Sequence, residues 1–512
     1  MSNKKIKRIL IANRGEIALR VIRTCREMGI ESVSIYSSAD RNALHIVHSN
    51  HSVHIPGRLP AETYLNINRI VGIAKDTGCD AVHPGYGFLA ENAEFAKACA
   101  AAGIKFIGPS PDAIEKMGNK IVAKEIMSIR EIPVIPGSAG AISDPAGAMD
   151  IAKLIGFPLI LKAAAGGGGR GMRVVRNFEE FDRAFRACQS EAMGAFGSDE
   201  VFIEKLIENP KHIEFQVMGD EHGNVIHFGE RDCSVQRRHQ KLIEEAPSPA
   251  LTPKLREEMG RVACEAARAA NYSNAGTVEF LLDGTGKFYF MEMNTRLQVE
   301  HPVTEEITGT DLVREQILVA SGEKLTYRQD DIEIRGHSFE ARINAEDPYR
   351  QFLPAMGKIR RYIPPLGRGV RLDAGTYEGY TIPMEYDSMV AKLIATGSSR
   401  AHAIERMKRA LGEFIITGIK TTIPFHQFVF SHPEFVEGRH NTAFVEKHFA
   451  GDGISGGLPS NSDDSLKKDA AIAAALDFYL ARQRVEVVQG KDSGTDYWEL
   501  ASRLKFSDYR GV

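Results

Sequence analysis

The sequence predicts an α/β and α+β chain of several domains: a helix-wrapped parallel sheet first, a small glycine-rich unit next, and a larger mixed-sheet region last. Three observations carry this. Short apolar strands alternate with amphipathic helices from Arg8 onward, a stretch rich in Pro, Gly, Ala and Ser lies between Ile132 and Pro145, and from Glu204 the pattern changes to alternating strands. A chain of 512 residues, 43% of them hydrophobic, is too large for one core, and the divisions are placed at 1–131, 132–203, 204–450 and 451–512.

In the first region Arg8 to Ala12 reads as a buried strand, Glu16 to Met28 has helical spacing, and Ser32 to Tyr36 is the next strand. Strand-like runs recur at Ala81-Val82 and Lys105-Phe106-Ile107, so the alternation implies a parallel sheet covered on both faces. Gly451 to Asp464 reads as a linker, with a helix expected over Ala470 to Arg484 and the single tryptophan, Trp498, in a polar end.

Composition excludes several classes of function. The formal charge is −3, without the basic surplus of a nucleic-acid binder. The six cysteines are scattered with no Cys-x-x-Cys pair, which fits reduced thiols rather than a disulfide framework. No apolar run approaches a membrane span, and Ile9 to Ala12 is too short for a signal-peptide core, so a cytoplasmic protein is expected.

The glycine run carries the first chemistry. Leu159 to Lys162 reads as a strand, and Gly166-Gly167-Gly168-Gly169-Arg170-Gly171 follows, able to bring consecutive backbone N–H groups against phosphate oxygens. Met172 to Val175 continues as a strand, where a dinucleotide fingerprint would open a helix, and no Lys-Ser/Thr follows the last glycine as a P-loop requires. What remains is a glycine flap between two strands, with Lys162 at the end of the first.

Carboxylates supply the second. Glu279 lies in the alternation Val278-Glu279-Phe280, and Glu292 closes Phe288-Tyr289-Phe290-Met291. Gly284 and Gly286 between them predict a hairpin that sets Glu279 and Glu292 side by side, with Asn294 two residues on. These are hard oxygen ligands suited to Mg²⁺, and carboxylates in apolar strands are costly without a cation. Arg296, Gln298 and Glu300 follow closely, a polar pocket suited to a planar anion such as bicarbonate, with Glu300 placed to act as its base. Upstream, Glu230 to Lys241 reads as a cluster of cations built to hold phosphate oxygens.

Taken in order, these residues resemble the biotin carboxylases, a branch of the ATP-grasp superfamily. The resemblance is carried by Ile11-Ala12-Asn13-Arg14-Gly15-Glu16, His83 to Leu89, Met117 to Lys120, the glycine flap, Glu230 to Lys241, Glu292 to His301 and Glu340 to Asn344, and it spans about Lys5 to Phe449. It implies an ATP-grasp fold with a Rossmann-like N-terminal domain, a lid domain bearing the flap and a C-terminal biotin carboxylase domain. It implies that Lys120 and Lys162 contact ATP phosphates, and that Gly166, Gly167, Gly168, Gly169, Gly171 and Met172 close over them. Glu204, Lys205 and Ile207 would face the adenine, and His212, Gln236 and His239 would line the nucleotide site. Glu279, Glu292 and Asn294 would hold Mg²⁺ (or Mn²⁺). Lys241, Arg296, Gln298 and the Val299 backbone would bind bicarbonate, Glu300 would deprotonate it, and Arg342 opposite Tyr86 would stabilise the biotin enolate.

The same resemblance sets the partners. A biotin acceptor lysine is flanked by methionines, and Met407-Lys408-Arg409, in a helical stretch, does not qualify. Biotin is therefore expected as a carrier-bound substrate, with a separate biotin carboxyl carrier protein and a separate carboxyltransferase subunit. By analogy the chain is expected to form a homodimer, with no nucleic acid and no membrane as partners. The acceptor is set by the transferase, so acyl-CoAs, pyruvate and 2-oxoglutarate are all compatible.

Overall fold

The computed structural model describes residues 5–138, 140–163, 172–196 and 199–449; the expected linker, helix and Trp498 of the C-terminal segment and the glycines Gly166 to Gly171 lie outside them. The first region folds as a five-stranded parallel sheet of β1 (Arg8–Ile11), β2 (Glu31–Ser37), β3 (His51–Ile55), β4 (Ala81–His83) and β5 (Lys105–Phe106), in the order β3-β2-β1-β4-β5. Ile9, Leu10 and Ile11 are buried on both faces, as continuous apolar strands of a covered parallel sheet must be. The helix Gly15–Glu27 packs onto it through Ile17, Ala18, Val21, Ile22 and Cys25.

Two loops at the carboxyl ends of β1 and β4 lock together. Asn13 Nδ2 donates to the carbonyls of Pro84 and Tyr86, each at 2.7 Å. Gly15 adopts φ +64, which opens the helix, and Arg14 beside it is buried in a two-pronged bond to Asp40 at 2.8 and 2.7 Å, under the Tyr386 ring at 4.4 Å. Through Arg14 and Tyr386 the Asn-Arg-Gly-Glu landmark joins the first region to the third.

The glycine-rich unit holds an antiparallel sheet of β6 (Leu159–Ala163), β7 (Met172–Val175) and β8 (Val201–Lys205), ordered β7-β6-β8. Its small core is built from Leu159, Leu161, Phe181, Phe185, Val201 and Ile203, with helices Pro145–Ile155 and Phe178–Phe196 on it.

The third region is dominated by an eight-stranded sheet. Its strands are β9 (Lys211–Gly219), β10 (Val225–Arg237), β11 (Gln240–Ala246), β12 (Asn274–Leu282), β13 (Phe288–Asn294) and β14 (His337–Asn344), with β18 (Val370–Ala374) and β19 (Met389–Gly397). The order is β13-β12-β9-β10-β11-β14-β19-β18, antiparallel at every junction. Two small ladders complete it, β15 (Glu346–Asp347) with β16 (Leu353–Pro354), and β17 (Arg361–Ile363) with β20 (Ile415–Thr417). All six cysteines are buried and outside any disulfide, and no helix among the described residues is long and apolar enough to cross a membrane.

The basic stretch Glu230 to Lys241 departs from the expectation of a phosphate-holding cluster. Its first half belongs to β10 and points into the sheet. Arg231 is fully buried, bonded to Glu214 at 2.5 Å, to Gln216 and Thr304 at 2.9 Å and to Thr277 at 3.2 Å, while Glu230 is held by Arg256. An alternating charged sequence can serve an interior ion network as readily as an anion site, and only its end, with Gln236, His239 and Lys241, reaches the cleft.

Candidate active site

The strands converge on one cleft of about 2050 Å³. Lys162 enters from β6, Glu204 and Lys205 from β8, His212 from β9, Gln236 from β10, Lys241 from β11, Glu279 from β12 and Glu292 with Asn294 from β13. Lys120 opens the helix Lys120–Ile129, His239 sits in the β10–β11 turn at φ +64, and Met172 and Ile207 complete the wall. Arg296, Gln298 and Val299 come from the turn after β13, and Arg342 from β14. Glu300, fully buried, lies behind this surface, and Tyr86 is not among the lining residues.

At one wall of the cleft, Lys162 and Lys124 both bond to the Glu204 carboxylate, and Lys120 lies 3.7 Å from Glu292. Burial and the neighbouring Lys120 push the Lys162 amine down to about 8, and burial, Lys162 and Lys120 do the same for Lys124. Three amines are therefore crowded where a polyanion would relieve them. The Lys205 side chain turns away, donating to the carbonyls of Gly156 and Phe157 at 3.1 and 2.7 Å, which leaves its backbone on the cleft wall.

The hairpin of β12 and β13 pairs Glu279 directly with Glu292. Glu279 Oε1 accepts from Lys241 and Asn294 at 2.8 Å and from Gln298 at 3.1 Å, and Oε2 faces His212 at 2.8 Å. Burial would raise this carboxyl, but Lys241 and His212 outweigh it and hold it well below the usual range. Two opposed carboxylates and an amide oxygen are a donor set that fits a hard divalent cation.

Deeper in, Lys241 Nζ bonds to Glu214, to Glu279 at 2.8 Å and to Glu300 at 2.7 Å. Glu300 Oε2 accepts from Arg342 at 2.9 Å, and Arg342 Nε donates to Glu244 at 2.6 Å. Burial would raise Glu300, yet Lys241, Arg342 and Arg231 keep it well below the usual carboxylate range. Arg296 donates to Glu91 at 2.9 Å, Gln298 at 2.6 Å and Asn294 at 3.1 Å, so its guanidinium is aimed by three neighbours. Fixed donors around a charged base form a pocket that can hold a small planar anion and remove its proton.

Sequence reasoning missed Glu214, Glu91, Lys124 and Lys392. Glu214 and Lys392 carried the signal used for Glu279, a charge alone in an apolar strand; Glu91 and Lys124 sit in ordinary polar text.

Comparison with known proteins agrees with this geometry. Residues 5–114 match the family described as Biotin carboxylase, N-terminal domain; residues 119–328 match Carbamoyl-phosphate synthase L chain, ATP binding domain; and residues 340–447 match Biotin carboxylase C-terminal domain. Biotin carboxylase 1 of Bacillus subtilis is 55% identical over 444 residues, covering 86% of this chain and 99% of that protein. The 2-oxoglutarate carboxylase small subunit of Hydrogenobacter thermophilus is 51% identical over 442 residues, covering 86% of this chain and 93% of that one. Among solved structures, the biotin carboxylase domain dimer of 2-oxoglutarate carboxylase from the same organism, in complex with MgADP, ADP and bicarbonate, superposes with a TM-score of 0.82 at 50% identity, covering 88% of this chain and all of that one. With three consecutive family matches and such identity along its described length, the chain belongs to the biotin carboxylase family of ATP-grasp enzymes.

Proposed function

We propose that this chain uses ATP and bicarbonate to carboxylate biotin on a separate carrier protein, as the biotin carboxylase subunit of an acyl-CoA or 2-oxoacid carboxylase. One observation carries the reading: a buried carboxylate, Glu300, is held between Lys241 at 2.7 Å and Arg342 at 2.9 Å, with Lys120, Lys124 and Lys162 on the wall of the adjoining cleft.

In this reading the triphosphate lies among Lys120, Lys124 and Lys162, with the base against Glu204 to Ile207. A Mg²⁺ held by Glu279, Glu292 and Asn294 would neutralise phosphate charge. Bicarbonate sits against Lys241, Arg296, Gln298 and the Val299 backbone. Glu300 takes its proton. A carboxylate held so far below its usual range is a weak base in isolation, but the cations that depress it also stabilise the dianion left on bicarbonate, so the transfer is matched.

The bicarbonate oxygen then attacks the γ-phosphorus, the bond to ADP breaks, and carboxyphosphate forms. It decomposes to CO2 and phosphate, and the phosphate takes the N–H proton of biotin. Arg342 stabilises the enolate that attacks CO2, with Tyr86 on the biotin side. Water exclusion is essential to this sequence, because carboxyphosphate hydrolyses.

The carrier and transferase are separate chains in this reading, the protein works as a homodimer, and the compartment is the cytoplasm. The Hydrogenobacter relative, named as the small subunit of its carboxylase, and the dimer of the solved relative support the partner assignments. The test is phosphate release from ATP with Mg²⁺, with and without bicarbonate and free biotin. Release that requires bicarbonate and rises with biotin is expected; release indifferent to both contradicts the reading.

A further inference from the structure

Lys392 lies on β19 and is fully buried. Its Nζ donates to the Val299 carbonyl at 2.7 Å, lies 3.5 Å from Glu16 and 4.0 Å from Asp373, and sits 5.8 Å from the centre of the Tyr86 ring. Such a group is expensive to bury, and a methionine of similar volume would pack there with less desolvation. The flanking Val390, Ala391, Leu393, Ile394 and Ala395 already supply the apolar core of the strand. Sheet packing alone therefore gives no account of an ammonium at this position.

Its contacts do. The Val299 carbonyl belongs to the peptide that carries the Glu300 nitrogen, so holding it sets the entry to the helix His301–Thr308 and the direction of the Glu300 side chain. Lys392 is also directly opposite Arg342 in the β14–β19 ladder and opposite Asp373 in the β18–β19 ladder. Two cations facing across strands repel. The arrangement stands because Glu244 engages Arg342 while Glu16 and Asp373 flank Lys392. Glu16, in the first turn of the helix Gly15–Glu27, has no hydrogen-bond partner on either side-chain oxygen and faces Lys392 as its nearest cation.

We propose that Lys392 is a positioning residue that pins the peptide bearing Glu300 and braces the Tyr86 ring, tying the bicarbonate and biotin ends of the site to one buried ammonium. The inference rests on the functional reading above. Lys392 touches no substrate; it acts through Val299 and Glu300.

The test compares K392M with E16Q/K392M. The single variant strands the Glu16 carboxylate and is expected to lose thermal stability. The double variant removes that carboxylate as well, Asp373 keeps Arg371 at 2.9 Å, and the buried Glu340, which also faces Lys392, loses that cation equally in both variants. In bicarbonate-dependent phosphate release, both variants should lose about tenfold or more in kcat/KM for bicarbonate, the scale of a charge-assisted hydrogen bond, while KM for ATP stays within about twofold. The double variant should melt above the single one, because it carries one buried acid fewer. Recovery of bicarbonate kcat/KM together with stability, or parallel loss for both substrates, would overturn the positioning role. A parent enzyme whose phosphate release ignores bicarbonate would overturn the functional reading, and this inference with it.

Discussion

At the scale of single residues, the crowded amines of the nucleotide wall have a measurable consequence. Lys162 and Lys124 are pushed down to about 8, so both are partly uncharged in the free protein at mildly alkaline pH. A bound polyphosphate stabilises the charged forms and raises those values, so nucleotide binding takes up protons, and affinity falls as pH rises through 8. Calorimetry at pH 8.5 in buffers of different ionisation enthalpy should show net proton uptake, reduced in Lys162→Met. Zero uptake would contradict the arrangement. Glu300→Gln should lower bicarbonate-dependent phosphate release by about 100-fold or more while nucleotide affinity stays within a few-fold, the size expected for loss of a general base. Much of this was legible in the residues themselves: an isolated glutamate in Val278-Glu279-Phe280 has to meet a cation, and it does. Lys124 was not, because a lysine on a partly exposed helix looks the same whether it faces water or a phosphate site. Nor was the destination of Arg231, since partners such as Gln216 and Thr304 are distant in sequence and known only once the sheet closes.

At the scale of elements, the site depends on register. Gly284 and Gly286 predicted the hairpin, and Glu279 opposite Glu292 is the pairing observed. The bulge was not legible: Phe280 pairs Phe290, leaving Met291 as an extra residue on β13, and nothing in its apolar alternation distinguishes that insertion. The junction after β18 is another exacting element. A Cβ on Gly375 would stand 2.8 Å from both the Glu16 nitrogen and the Gly15 carbonyl carbon, so helix Gly15–Glu27 begins in contact with bare backbone. Gly375→Ala should destabilise the protein by about 1–3 kcal/mol, as forced overpacking does, and shift the Glu16–Lys392 pair. A thermal melt decides it, and an unchanged midpoint would show that the junction yields freely.

At the scale of the whole molecule, the cleft is assembled from all three folded regions, and the joints between them are polar. Arg20 in the first region reaches Glu305 at 2.8 Å and Asp311 at 2.9 Å, and Glu91 holds Arg296 of the anion pocket. The parallel first sheet was legible because its strands and helices each keep their own period; the joints were not, since each pairs charges far apart in the chain. The Bacillus relative aligns over 444 residues and 99% of its length, so a chain ending at Phe449 should retain biotin-stimulated phosphate release within about twofold. A steady-state assay checks this; loss of activity would assign the segment beyond Phe449 to the catalytic unit.

Whether ATP activates bicarbonate through direct attack on phosphorus is decided by oxygen transfer. With oxygen-18 bicarbonate freshly dissolved in unlabelled water, phosphate released by the enzyme should carry one labelled oxygen from bicarbonate. Phosphate whose new oxygen comes from water would mean hydrolysis without carboxyphosphate, and the roles given to Glu300 and the Arg296 pocket would fall with it.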